Sequence, residues 1–223
     1  MRGLSLLSCF VIITLFTLSC NNSRSYRYPA VSLELVSAVV TAEGIVDSIY
    51  TDKGDSYKVV EYRPAPLQLK DTTIRAIIYL DFTAEGDAIL FTISPVPVYK
   101  PIDKDLHPVD SPNDPVGYKR VWVSGGFLNM ELQVKADKLA IHEFVFTEQV
   151  ELETSPATVS LKLYHTKKTD IPIFTQNYIL SIPLHTYYKV LETDRFNLNF
   201  IVQTDEGEKK LSFELNKNQI SNE

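Results

Sequence analysis

The sequence contains little cysteine. Its 223 residues include two, Cys9 and Cys20, and both lie within the first 20 positions. After position 20 the chain can therefore form no disulfide within itself. It also has no thiolate for nucleophilic catalysis, metal binding or redox chemistry. Thiol catalysis, thiolate metal sites and thiol redox chemistry are therefore excluded for the part of the chain that follows the second cysteine.

Positive charge is also in short supply. Lysine and arginine number 22 against 28 aspartates and glutamates, which gives a formal net charge of −6. A chain with this balance repels phosphate backbones and has no basic surface to hold them. We therefore expect no nucleic-acid partner.

The first 19 residues have the layout of a secretory signal peptide. Arg2 supplies one positive charge, and an apolar stretch runs from Leu4 to Leu18. A membrane span needs roughly 20 residues, so this stretch is short for one. Thr-Leu-Ser-Cys at positions 17–20 resembles a lipobox, in which the cysteine receives lipid. We expect cleavage before Cys20 and lipid attachment to its thiol, and an uncleaved anchor is the alternative.

Lipid on Cys20 would attach the protein to a membrane and place it in the cell envelope. Residues 20–30 are predicted to form a flexible tether, which begins with the polar sequence Cys-Asn-Asn-Ser-Arg. An acidic cluster directly after the lipidated cysteine resembles a surface-export signal. This sequence does not contain such a cluster. We therefore expect a lipoprotein of the outer membrane that faces the periplasm.

Helical periodicity is nearly absent after the signal peptide. Apolar residues instead alternate with polar ones over many short runs. The clearest run puts four apolar residues on one face of a strand, Leu128, Met130, Leu132 and Val134. Residues 196–203 and 209–215 alternate in the same way on either side of an acidic turn. Each such strand shows one face to a core and one to water, so the sequence predicts an all-β protein.

A proline-rich segment divides the chain. Four prolines fall within residues 101–115, and proline cannot donate a hydrogen bond to a strand ladder. We predict that this segment is the junction between two domains. Residues 31–100 hold about five candidate strands and predict a small barrel, whereas residues 116–217 hold seven and predict a β-sandwich. Residues 218–223 are predicted to be a C-terminal tail. The barrel strands named by the pattern are Val31–Val40, Ser56–Tyr62, Ile74–Phe82 and Ala88–Ile93.

One stretch in the second half is distinctive. Asn-Asp-Pro-Val at 113–116 leads into Val-Trp-Val-Ser-Gly-Gly-Phe-Leu-Asn-Met at 121–130, and Leu-Lys-Leu-Tyr-His follows at 161–165. These segments, together with the closing hairpin, resemble the NigD-like lipoprotein family. The resemblance is looser before residue 100. It implies an OB-like barrel followed by an immunoglobulin-like sandwich and a role in bacteriocin immunity, and it implies no catalytic residue.

The turn formed by Ser124, Gly125 and Gly126 is a candidate binding site. Glycine there suits backbone angles that other residues avoid, and Trp122 and Asn129 flank the turn. One hypothesis makes the turn a ligand-binding tip. The other makes Trp122 a core aromatic and Asn129 a side chain that satisfies exposed backbone groups, so that the turn is structural.

Tyrosine is abundant, with twelve residues, and Tyr57 and Tyr62 lie near predicted strand ends of the barrel. A tyrosine-rich rim on a small barrel could stack sugar rings or contact a protein partner. The same residues are also ordinary strand composition, because aromatic residues favour strands. Tyr57 and Tyr62 are the second candidate site.

The four histidines are the candidates for proton transfer or zinc binding at neutral pH. His142 begins a sequence like that of a zinc protease, but Phe146 occupies the position of the second histidine. His165 is predicted to be half-buried and hydrogen-bonded to Asp170 or to the backbone. Acidic residues such as Asp52 do not have the spacing of a known calcium loop. We expect no metal, no cofactor and no catalytic residue.

These features favour a non-enzymatic lipoprotein that acts as a binding or protective module. Its partner would be a peptide toxin, as bacteriocin immunity requires, or another envelope protein. The alternative is a glycan-binding or envelope-assembly accessory protein. A hydrolase with an unfamiliar site is a third hypothesis.

The lipobox interpretation makes a direct prediction about the two cysteines. A Cys20→Ala variant should no longer incorporate labelled palmitate, because the acceptor thiol is gone, while Cys9→Ala should be labelled and processed normally. Metabolic labelling followed by gel fluorography measures both. Label on the Cys20→Ala protein would contradict the interpretation.

Overall fold

Apolar and polar residues alternate along the strands of two β structures, a barrel and a sandwich, which follow one another in the sequence. The computed structural model describes residues 31–108, 110–137, 141–167 and 174–217. The chain divides into a unit from Met1 to Val31 and a unit from Ser32 to Glu223, and every strand given below lies in the second unit. Within the described ranges, no helix is both long enough and apolar enough to cross a membrane.

The N-terminal half of the second unit is a closed five-stranded barrel with the strand order β1-β2-β3-β5-β4. Inward-facing residues of β1 and β4 alternate with outward-facing ones, and Val36, Ala38 and Ile78 among them are completely buried. The tight turn at 52–55 joins β2 to β3. The strands are β1 (Ser32–Val40), β2 (Val46–Thr51), β3 (Ser56–Tyr62), β4 (Thr72–Phe82) and β5 (Ala88–Pro95).

The C-terminal half is a sandwich of two sheets with a separate core. One sheet has the order β13-β12-β10-β9-β6 and the other has the order β11-β8-β7. Phe146, Phe196 and Phe200 are the largest of its fully buried side chains. The strands are β6 (Ile102–Asp103), β7 (Gly117–Ser124), β8 (Phe127–Ala136), β9 (His142–Glu151), β10 (Thr158–Lys167), β11 (Phe174–Pro183), β12 (Arg195–Thr204) and β13 (Gly207–Asn216). The prediction of an all-β protein with an OB-like barrel and a β-sandwich is confirmed.

A short helix, α1 (His185–Leu191), connects the two sheets of the sandwich between β11 and β12. Tyr187 and Tyr188 of this helix are buried against the sandwich core. The Tyr187 hydroxyl donates a hydrogen bond to the Glu148 carboxylate on β9. Burial raises the pKa of Tyr188 to about 12. The helix therefore closes one part of the sandwich core.

The proline-rich segment 101–115, predicted to be the junction between two domains, makes backbone hydrogen bonds to the sandwich. Ile102 in this segment pairs with Thr147, so β6 adds a short parallel strand to the larger sheet. The backbone N–H of Asp114 donates to the carbonyl of His165 at 2.7 Å. Parts of the segment are thus hydrogen-bonded to the sandwich, because prolines remove only their own donors and leave the intervening residues free to pair.

Candidate functional site

The turn predicted as a candidate binding site lies against the barrel. The Ser124 hydroxyl donates a hydrogen bond to Oδ2 of Asp52, the first residue of the turn between β2 and β3, at 2.5 Å. The same carboxylate accepts two hydrogen bonds from Arg75 on β4, from Nη1 at 2.5 Å and from Nη2 at 2.6 Å. A paired, bidentate arrangement of this kind fixes both distance and orientation. The turn therefore contacts an ion pair that belongs to the barrel.

Arg75 points out of the barrel and is buried where the sandwich covers it, with 1% of its side chain exposed. Its Nη2 also donates to the amide oxygen of Asn129, at 3.3 Å. Its guanidinium carbon lies 4.6 Å from the centre of the Phe127 ring, a cation–π contact. Ser181 on β11 donates to the same Asn129 oxygen at 2.8 Å. We call Asp52, Arg75, Ser124, Asn129 and Ser181 the Arg75 network.

The glycines of the turn are explained by this close approach. A Cβ placed on Gly125 would lie 2.1 Å from Oδ1 of Asp52, closer than two atoms can come without a shift. The positive φ of Gly125, 57°, and of Gly126, 80°, also favours glycine. Ser124, Gly125 and Gly126 thus form part of the joint between barrel and sandwich, which is a structural role for this turn. Binding of a ligand through the turn stays a prediction.

The two candidate tyrosines lie elsewhere, half-buried against the barrel core. The Tyr57 ring packs on Phe82 with 4.7 Å between ring centres. The Tyr62 hydroxyl donates to the carbonyl of Ala65 at 3.2 Å, and burial raises the pKa of Tyr62. Each tyrosine therefore has a structural partner within the barrel. A sugar-stacking role for Tyr57 and Tyr62 stays a prediction.

His142 and His165 form a hydrogen-bonded pair that the sequence does not suggest. Nδ1 of His142 lies 2.9 Å from Nε2 of His165, and Nδ1 of His165 lies 3.2 Å from the carbonyl oxygen of Asp114. A carbonyl accepts only, so we assign the proton of His165 to Nδ1. His165 Nε2 then accepts from His142 Nδ1. The backbone partner expected for His165 is confirmed, and Asp170 lies outside the described residues.

Both histidines are held neutral at pH 7 by their surroundings. Burial lowers the pKa of His142 and of His165, and it outweighs the nearby carboxylate of Asp114, which acts in the opposite direction on both. Nε2 of His142 is buried and makes no hydrogen bond to the described residues. Protonation of this atom would place a charge where water is largely excluded. The pair is therefore suited to stabilise the sandwich rather than to exchange protons at neutral pH.

A cavity of about 540 Å³ lies where the barrel meets the sandwich. Arg75 forms part of its wall, as do Ser37 and Thr73 of the neighbouring barrel strands. The remaining wall is mostly apolar, and this volume lies within the range of sites that hold small molecules or side chains. Apolar wall residues include Leu69, Val96, Val98, Phe127 and Pro183. Among the described residues, no three histidine, cysteine, aspartate or glutamate side chains come together to hold a metal ion.

The special backbone of the turn at 124–126 was predictable from the sequence, whereas the role of Arg75 was not. The available signal was the charge of Arg75 itself, since this residue lies between Ile74 and the apolar run 76–80. A charged residue inside such a run marks either an exposed face or a buried ion pair. Asp52, which sequence analysis considered only as a weak calcium ligand, supplies the pair.

The close approach at Gly125 predicts a large effect of one methyl group. Gly125→Ala should lower the free energy of unfolding by about 3 kcal/mol, because the new Cβ separates Asp52 from its buried partner. Gly86→Ala is the matched control, since Gly86 has a φ of 92° and open space around its Cβ position. It should cost about 1 kcal/mol from backbone strain alone. Urea unfolding measures both, and equal losses would show that the contact with Asp52 does not matter.

The histidine pair predicts loss of stability in acid. The folded-state pKa of each histidine lies below its ordinary value of 6.5, so the unfolded chain binds protons first as pH falls. Stability is therefore full above pH 6.5 and declines as pH falls from there through the folded pKa values. The urea midpoint of the wild type should drop between pH 7.5 and 5.5. His142→Phe should drop less, and the control His185→Gln should follow the wild type. A His142→Phe protein as acid-sensitive as the wild type would refute this account.

Comparison with known proteins gives a family match and several structural matches. The family model described as the NigD-like C-terminal beta sandwich domain matches residues 100–216. A NigD-like immunity protein from Bacteroides caccae has a TM-score of 0.68 and 23% identity, over 86% of this chain and 99% of that chain. A candidate toxin-related protein from Parabacteroides distasonis has a TM-score of 0.66 and 17% identity, over 85% and 95%.

A candidate lipoprotein from Bacteroides fragilis is also similar, with a TM-score of 0.57, 9% identity and coverage of 84% of this chain and 98% of that chain. At these identities the structural matches show the fold alone. No curated protein matches the chain. The family model, however, covers more than half of the sequence. The chain therefore belongs to the NigD-like family, whose C-terminal β-sandwich domain it carries.

Proposed function

We propose that the protein is a lipid-anchored, non-enzymatic module of the cell envelope that protects its host by binding a peptide toxin, as a bacteriocin immunity protein. The observation that carries this proposal is the family match over residues 100–216. The similarity in fold to a protein named as a NigD-like immunity protein, over nearly all of that protein's length, adds support.

Attachment to a membrane is supported by the lipobox-like sequence that ends at Cys20. A fold shared with a candidate lipoprotein is consistent with it. Two or three acyl chains on one protein make membrane attachment effectively permanent. A protein anchored in this way meets a toxin at the membrane itself, on the periplasmic face if the polar tether after Cys20 carries no surface-export signal.

A non-enzymatic binding role is supported by the polar groups at the joint between barrel and sandwich, because these groups bind one another. The carboxylate of Asp52, the guanidinium of Arg75 and the hydroxyl of Ser124 are engaged with one another. They fix the position of the sandwich on the barrel, and the cavity beside them has a mostly apolar wall. An apolar wall with few polar groups favours the binding of a partner through surface complementarity.

Protection can be tested directly. The full lipoprotein, expressed in a sensitive strain, should raise at least tenfold the inhibitory concentration of a bacteriocin, which is sought first among the products of neighbouring genes. Cys20→Ala should lose most of this protection, because the protein no longer stays at the membrane. The Cys9→Ala variant is the matched control and should protect as the wild type does.

Two outcomes would contradict the proposal. If the wild type is expressed and folded normally but does not protect, the proposal of an immunity function is wrong. Binding of an oligosaccharide from an array, together with absence of protection, would favour the glycan-binding alternative. In that case Tyr57→Ala and Tyr62→Ala, at unchanged melting temperature, would test the barrel rim as the sugar site.

A further inference from the structure

An apolar track runs along the outside of the barrel towards the cavity. β1 and β4 are antiparallel neighbours, and their outward-facing residues form cross-strand pairs. Leu33 pairs with Tyr79, and these side chains belong to residues that are 56% and 46% exposed. Leu35 pairs with Ile77 next along the strands. Two successive rungs of the outer surface are thus apolar and reachable from solvent.

The next rung of the same two strands opens into the cavity. Ser37 pairs with Arg75, and both residues form part of the cavity wall. Leu69 and Val98, which also line the cavity, are 48% and 44% exposed. Apolar side chains therefore lie on the outer rungs and in the cavity wall, and the polar pair of Ser37 and Arg75 lies where the two surfaces meet. Exposed apolar side chains that are grouped in this way mark a contact site for a partner.

Arg75 leaves one donor free at this point. Its two terminal nitrogens bind Asp52 and Asn129, whereas its Nε is buried and has no hydrogen-bond partner among the described residues. An unpaired buried donor is unfavourable, and a hydrogen-bond acceptor brought into the cavity would satisfy it. A purely hydrocarbon ligand could not supply that acceptor, but a peptide carbonyl could.

We infer that the track and the cavity bind an extended, apolar segment of a peptide, with a backbone carbonyl that accepts a hydrogen bond from Nε of Arg75. Alternate residues of an extended chain lie about 6.7 Å apart, which is also the spacing of successive rungs on β1 and β4. The net charge of −6 favours a segment with flanking lysines or arginines. This inference rests on the proposed function, for which it names the contact surface and the chemistry of the toxin segment.

The test uses the full lipidated protein in nanodiscs. A displayed library of nine-residue peptides, with alternate positions restricted to Val, Ile, Leu and Phe, is selected for binding. A second library has the same composition with its apolar residues in one block. We expect enrichment from the alternating library only. Enriched peptides, made with a fluorescent label, should bind Leu69→Glu and Val98→Glu at least tenfold more weakly than they bind the wild type.

Matched controls come from exposed apolar residues outside the cavity wall. Leu106 and Val190 are 76% and 70% exposed, so Leu106→Glu and Val190→Glu introduce the same charge into a similar setting. Both should bind the peptides as the wild type does. All four substitutions are at exposed positions, and a melting temperature for each confirms that the fold is intact.

Three results of the binding experiments would overturn the inference. The first is no enrichment from the alternating library. The second is binding that Leu69→Glu and Val98→Glu leave unchanged. The third is binding of a dansylated fatty acid in the cavity with no peptide binding, which would assign the site to a lipid chain. Protection by Leu69→Glu and Val98→Glu equal to that of the wild type would refute this site and leave immunity standing, whereas absence of protection by the wild type would refute immunity itself.

Discussion

Arg75 carries a positive charge on a side chain that is 1% exposed. Removing such an ion from water costs several kcal/mol unless partners replace the lost hydration. Asp52 supplies the counter-charge from the barrel, whereas Asn129 and Phe127 supply a hydrogen bond and an aromatic face from the sandwich. The barrel alone cannot provide all of these contacts. The burial of this one guanidinium therefore requires the sandwich to place Asn129 and Phe127 against Arg75.

Several other features follow from that position. The sandwich approaches Asp52 so closely that position 125 has no room for a Cβ. Ser181 and Asn129 are completely buried beneath the joint, which is acceptable only because they hydrogen-bond to each other. The cavity opens beside the same residues, with Arg75 in its wall. A hydrogen-bonded joint between two β structures thus shapes the surface that we propose for the partner.

The sequence was most informative where a strand has one buried face. The alternation over residues 127–135 predicted β8, because burial on one side leaves a period of two. β2 was not predicted, since its two buried residues, Val46 and Ile49, are three positions apart and break the period. Helix α1 was also missed, because it has seven residues and no side-chain hydrogen bond at its N-cap, Leu184.

Prediction of the candidate site from the sequence has a different limit. Glycines at 125 and 126 correctly indicated a special backbone in the turn. The partner of the turn could not be inferred, because the hydrogen bond from Ser124 to Asp52 joins residues 72 positions apart and no local pattern encodes it. The histidine pair is similar, since His142 and His165 meet only because β9 and β10 are neighbours. A tertiary contact of this kind becomes visible when the strand order is known.

The claim that the Arg75 network joins barrel to sandwich is tested most directly by a double-mutant cycle across the joint. The free energy of unfolding is measured for the wild type, Asp52→Ala, Ser124→Ala and the double variant. Because the Ser124 hydroxyl donates to a partly buried carboxylate, we predict a coupling energy of about 1.5–3 kcal/mol. Effects that add to within about 0.5 kcal/mol would show that the two residues act independently and would contradict the account.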